Sequence, residues 1–188
     1  MRILCALAVV LLTACSSQPP QTATYLLRSE VPAGADVALS DSGIALGNIR
    51  VANYIDQPGL VLATGDGTIH AARYHVWAEP LQVALRRYLA DQISDASGRD
   101  IAAMPDSATV TRVDVSVDQL HGTGSGVAVL VAYWNVASQG ASKSYRFSEQ
   151  QALSGDGYDA LVRAQESLLK RLAEAISASL PAAGQVSG

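Results

Sequence analysis

The sequence predicts an α+β fold, a mainly antiparallel sheet with two amphipathic helices packed on one face. Three observations carry this. Most of the chain after residue 24 is cut into short apolar or alternating runs separated by Gly, Pro, Asp and Ser, the pattern of strands and turns. Only two stretches repeat at helical spacing, one starting at 78 or 79 and ending near 94, the other over 158–180. The order is strands, helix, strands, helix, which places both helices on one layer. At 188 residues the chain has the length of a single domain.

The N-terminus is read first as a leader. Arg2 gives a positive start, residues 3–12 are apolar, and Leu12-Thr13-Ala14-Cys15 closes the run with small residues before a cysteine. The run is too short to span a bilayer, which needs about 20 apolar residues. It resembles a bacterial lipoprotein signal with its lipobox. That resemblance implies removal of residues 1–14 and acylation of Cys15. Residues 15–24 are then the lipidated cysteine and a flexible linker, polar and with two prolines. Extended, the linker reaches only about 30 Å at ~3.3–3.6 Å per residue.

The domain runs from 25 to 181. Tyr25-Leu26-Leu27 begins a short strand. Residues 44–55 form a longer one, and its apolar phase shifts between Ile44/Leu46 and Ile49/Val51, which predicts a bulge near Gly47. Asp56-Gln57-Pro58-Gly59 is a turn. Residues 60–63 and 68–74 flank Gly65-Asp66-Gly67 as a hairpin. In the first helix Leu81, Leu85, Tyr88 and Leu89 share a face. Residues 109–120 alternate, with Val113, Val115 and Val117 on one side and Arg112, Asp114, Ser116 and Asp118 on a wet side. Residues 127–134 are apolar on both faces and 143–148 alternate again, so the three segments form an antiparallel meander. Leu161, Leu168, Leu172 and Ile176 mark the buried stripe of the second helix. Pro181 stops it, and residues 182–188 are a disordered tail.

Composition narrows the function. The formal net charge is −4, and it becomes one unit more negative when Arg2 leaves with the leader. That excludes nucleic acid as the expected partner, because such binding needs clustered Lys and Arg. Of the two cysteines, Cys5 leaves and Cys15 is consumed by the lipid, so none remains for a disulfide, a zinc site or a nucleophile. The glycine cluster Gly122-Thr123-Gly124-Ser125-Gly126 lacks the Lys-Ser/Thr and helix of a phosphate loop and reads as a hairpin turn. His70, His75 and His121 have no metal-ligand spacing and read as surface or edge residues. No nucleophile elbow is present. The sequence therefore implies no catalytic, metal or cofactor residues.

One segment is more specific. Tyr54-Ile55-Asp56-Gln57-Pro58 precedes the hairpin, and Trp77-Ala78-Glu79-Pro80-Leu81 follows it and opens a helix. With the lipobox and Tyr25-Leu26-Leu27, these residues resemble the ABC-type transport auxiliary lipoproteins, the PqiC-like family. The family pattern is Y-L-D-x-P followed by R-W-A-E-P-L, and this chain departs from it by carrying Val76 before Trp77. The residues suggest a structural corner: a buried ring at Trp77, a charge favoured by the helix dipole at Glu79 in the first turn, and a preset helix start at Pro80.

The resemblance implies a non-catalytic lipoprotein subunit of an MCE/ABC-type envelope lipid-transport system. It implies an MCE-domain protein as partner, contact with membrane through the lipid, and a homo-oligomer as a plausible assembly. Ser16, where Asp would favour inner-membrane retention, leans toward the periplasmic face of the outer membrane of a Gram-negative bacterium. An assembly factor for outer-membrane barrels or lipopolysaccharide machinery is the alternative. An envelope hydrolase is a third reading that no local motif supports.

Overall fold

The computed structural model describes residues 20–29, 40–65, 67–106 and 108–182. The leader, Cys15, the first part of the linker and the tail from 183 lie outside the described residues. The described chain runs β1 (Ala23–Tyr25), β2 (Ser40–Val51), β3 (Gly59–Gly65), β4 (Thr68–Trp77), α1 (Leu81–Ser97), β5 (Arg99–Ala102), β6 (Thr111–Thr123), β7 (Val127–Ser138), β8 (Ala141–Ala152) and α2 (Gly157–Ser179).

All eight strands join one sheet centred on β6. Antiparallel β7 covers one edge of β6, and β8 pairs with β7 beyond it. The other edge is shared. Parallel β2 takes the first half, from Ile44↔Thr111 to Val51↔Val117. Parallel β3 takes the end, at Leu62↔Gly122 and Ala63↔Thr123. Outside β2 lies parallel β5, and outside β3 lie antiparallel β4 and then parallel β1.

The sheet is therefore mixed, not mainly antiparallel. Pairs β1–β4, β2–β5, β2–β6 and β3–β6 are parallel, while β3–β4, β6–β7 and β7–β8 are antiparallel. The antiparallel pairs are the ones joined by short turns, which sequence reveals. The chain between β2 and β5 passes over the sheet as α1 and returns in the same direction, as parallel partners require. Alternation tells which face is wet and says nothing about direction. Ile44, Ala45 and Leu46 are all 5% exposed or less, so the first part of β2 is covered on both faces, whereas Asn48 and Arg50 further along are exposed.

β5 has no counterpart in the sequence reading. It is four residues long with two charges, and only Ile101 is buried. It forms because Gly98 ends α1 in the left-handed conformation (φ 65°) and turns the chain back at once. The predicted bulge is present, as a register shift between Leu46 and Ile49 against β6.

Both helices pack on the sheet and on each other. α1 lies over β2 and β5, and α2 over β7, β8 and β6. Leu85 and Leu89 of α1 and Leu161, Leu168, Leu172 and Ile176 of α2 are fully enclosed with Val113, Val115, Val117 and Leu130 of the sheet. Each such side chain contributes about 1.5–3 kcal/mol by leaving water. The opposite face carries Arg112, Asp114 and Ser116, which alternate with those valines and are partly or fully exposed.

Candidate functional site

The two motif segments meet at one corner of the sheet. The turn after β2 is held by Ile55 and Asp56 N–H groups donating to Ala52 O (3.0 and 3.1 Å), with Gln57 Nε2 donating to Tyr54 O at 2.6 Å. This presents Pro58 O to Trp77 N–H at 2.8 Å. Ala78 N–H donates to Tyr25 O at 2.7 Å, so β1 is drawn into the same corner. The Trp77 ring, 7% exposed, and Leu81, 3% exposed, join the core there.

α1 begins at Leu81, and Pro80 is its N-cap residue, with its carbonyl accepting from Val83 and Ala84 N–H. Glu79 therefore precedes the helix and does not sit in its first turn. Its carboxylate is held by arginines. Arg28 Nη1 pairs with Oε1, and Arg87 Nη1 lies 3.3 Å from Oε2. The Arg28 hydrogen bond holds the Glu79 carboxyl below its usual range. Glu79 thus has its cations although position 76 is a valine. Val76 is paired in the ladder between Thr24 of β1 and Gly59 of β3. Beside these groups lies a groove of about 290 Å³, lined mostly by carbon from Asp56, Gln57, Pro58 and Trp77 to Leu81.

A second cluster fixes β1 from the other side. Tyr25 donates its hydroxyl proton to Asp159 Oδ1 at 2.7 Å, at the start of α2. His75 Nδ1 lies 2.8 Å from the Tyr25 hydroxyl oxygen. The phenol has one proton, already directed at the carboxylate, so His75 is the donor through Nδ1–H. The His75 ring stacks on Tyr158 at 4.2 Å. Burial first, and the Asp159 contact second, push the Tyr25 pKa up to about 12.

Trp77, Ala78, Glu79, Pro80 and Leu81 are thus brought together with 56–58, whereas Cys15 is outside the described residues. His70 is exposed. His121 is inside β6, half-buried, 3.0 Å from the Tyr54 hydroxyl, and burial lowers its pKa. It is not the surface or edge residue expected from sequence, because its strand is the centre of the sheet. Among the described residues no group of three or more His, Cys, Asp or Glu is placed to hold a metal ion. No helix among them is long and apolar enough to cross a membrane. Sequence reasoning missed Arg28 and Tyr25 as corner residues. Their spacing to Glu79 and Asp159 is long, and the only signal was that a short strand preceded the arginine.

A family model described as ABC-type transport auxiliary lipoprotein component matches residues 25–177, and the chain belongs to that family. It is similar to the intermembrane transport lipoprotein PqiC of Escherichia coli K12, with 27% identity over 116 residues, 61% of this chain and 62% of that protein. The match thus spans less than two thirds of the relative's length. Two solved structures share the fold. One, of an uncharacterized protein, has a TM-score of 0.74 at 23% identity and covers 86% of this chain and all of that one. The other, from Xanthomonas campestris, has a TM-score of 0.62 at 15% identity and covers 82% of this chain and 92% of that one.

Proposed function

We propose that this transport-associated lipoprotein is a docking subunit that turns nothing over. Cys15 carries the lipid that anchors it to the outer membrane, facing the periplasm. The corner groove receives a segment of the MCE-domain protein of the same transport system. The observation that carries this is the meeting of three things at one place: the family's two motif segments, a mostly apolar groove, and β1, the strand that continues the linker. Apolar grooves of about 300 Å³ and above are the usual receptors for a ligand or peptide side chain. A partner seated there is held close to the membrane because the linker is short.

The test is crosslinking from membranes with Cys15 intact. A photo-reactive residue at position 57 lines the groove, and one at position 170 lies on the outer side of α2 as a control. Capture of an MCE-domain protein from 57 and not from 170 is the expected result. Capture of barrel-assembly components from 57 would replace the reading with the assembly-factor alternative. Equal capture from both positions would remove the groove from the interface.

A further inference from the structure

We infer that the outer edge of β4, over Ile69–Tyr74, is a docking site for an extended segment of another protein, apolar at alternate positions and flanked by carboxylates. β4 has ten residues, and β3 pairs with it along one side. On the other side β1 covers only the last three, from Ala23↔His75 to Tyr25↔Trp77. Among the described residues nothing else pairs with that side. β1 runs parallel to β4, so a strand continued backwards from Ala23 would lie along this edge. Residues 20–22 do not continue it, and Pro20 has no N–H to offer. Thr68 is tied to the Thr64 hydroxyl. The open edge from Ile69 to Tyr74 is then about 20 Å long, at ~3.3 Å per residue.

Proteins blunt bare sheet edges with charge, brevity or cover, because unpaired N–H and C=O groups recruit other strands. The other ends of this sheet are blunted. β5 is four residues long and carries Arg99 and Asp100. β8 carries Lys143, Arg146 and Glu149. The open run of β4 carries Ile69, 49% exposed, with Ala71 and Tyr74 exposed beyond it. Its pairing with β3 is regular over 69–71, opposite Val61 to Ala63, and the extra residues of the register shift fall between Ala71 and Val76. The backbone bonds to an incoming strand therefore belong to 69–71. Arg73 stands just past them as a side-chain contact, exposed like Ala71 while Ala72 between them is buried.

The chemistry of the occupant follows from the backbone and the charge. An added strand takes its affinity from main-chain bonds and its specificity from alternate side chains. An apolar side chain on it pairs with Ile69, and a carboxylate near one end pairs with Arg73. β1, β3 and β4 hold no carboxylate of their own. Arg73 has no hydrogen bond or ion pair among the described residues. Asp159, at the far end, is already bonded by Tyr25, and Asp66 of the hairpin turn lies outside the described residues. The inference does not depend on the corner groove or its partner.

The experiment uses the full-length protein, expressed with its leader and held in dodecyl maltoside micelles. The probe is the end-blocked peptide Glu-Thr-Val-Thr-Val-Thr-Glu, which presents its valines and both carboxylates on one face in either strand direction. Its counterparts carry Lys in place of Glu, or an N-methyl group on every residue. Fluorescence anisotropy reads binding, hydrogen exchange reads its place, and a thermal melt checks folding. The expected result is saturable binding of the Glu peptide that slows exchange within 68–74. Ile69→Asp weakens it about tenfold or more, by removing the apolar contact and repelling the carboxylates. Arg73→Gln weakens it several-fold and keeps the test open if Ile69→Asp unfolds. Arg146→Gln, on the β8 edge, leaves it unchanged. Absence of binding, or slowed exchange within 141–152 and not within 68–74, overturns the site. Equal binding of the N-methylated peptide overturns strand addition. Equal or tighter binding of the Lys peptide overturns the acidic class. Slow exchange at 68–74 in the protein alone, deepening with its concentration, overturns the foreign segment in favour of a second copy of this chain.

Discussion

Gly47 shows how one missing side chain shapes a whole face. Its Cβ position is filled by Asp114 and Arg112, so the ion pair and the Asn48 hydrogen bond exist only because nothing projects there. Gly47→Ala is expected to cost about 1–3 kcal/mol of unfolding free energy, the usual range for overpacking. In an Asp114→Ala background the same change costs less, because the overlapped carboxylate is gone. Urea denaturation of the four proteins of that cycle reads the difference, and equal costs would mean the overlap is relieved by backbone movement instead. His121 gives a second test. Burial lowers its pKa below the ordinary 6.5, so the unfolded chain takes up the proton first as pH falls. The folded state then loses stability as pH drops through and below 6.5. The urea midpoint of the wild type should fall more between pH 7.5 and 5.5 than that of His121→Gln. Parallel declines would assign the acid loss to other groups.

Trp77 carries the join between β4 and α1. It is 7% exposed and packs with Leu81 into the main core. Trp77→Ala should cost about 3–5 kcal/mol, as large aromatic truncations in cores do. Val83→Ala, at an exposed position of the same helix, should cost a few tenths. Denaturant midpoints with an unchanged m-value would check both. This corner also marks how far the sequence could be read. The helices, the β3–β4 hairpin, the β6–β7–β8 meander and the bulge were legible because each is written in local periodicity and turn residues. The parallel pairing of β2 with β5 and β6 was not, since register between strands about 60 residues apart leaves no local trace. β5 was hidden by its brevity and its charges. The Trp-Ala-Glu-Pro-Leu run was visible, but the role of Glu79 was not. Helix start rules placed it in the first turn, whereas the helix starts after Pro80 and the Glu79 carboxylate is paired with Arg28, 51 residues away.

The described fold is firm at its centre and more lightly held at its N-terminal strand. β6 is paired along both edges and covered by helices, and its valines at 113, 115 and 117 are 2% exposed or less. β1 is three residues long and pairs with β4 on one side only. Its attachment depends on a few contacts: the Ala78 N–H bond to Tyr25 O, the Tyr25 hydroxyl between His75 and Asp159, and the Arg28–Glu79 pair nearby. If residues 15–24 are the lipid-anchored linker proposed above, any load on it reaches the fold through this strand first. Opening of β1 as far as Tyr25 exposes little apolar surface, since the chain stays anchored just beyond it by Leu27, 1% exposed in the main core, while opening of β6 requires the whole core to separate. Amide hydrogen exchange should therefore protect Val115 and Leu130 to the level of global unfolding and Ala78 far less. Tyr25→Phe removes the hydroxyl and both of its bonds. It should speed exchange at Ala78 by several-fold and leave Val115 and Leu130 unchanged. If all three amides accelerate together, β1 is part of the cooperative core. In that case the described body gives way as one unit, with no separable strand at its N-terminal end.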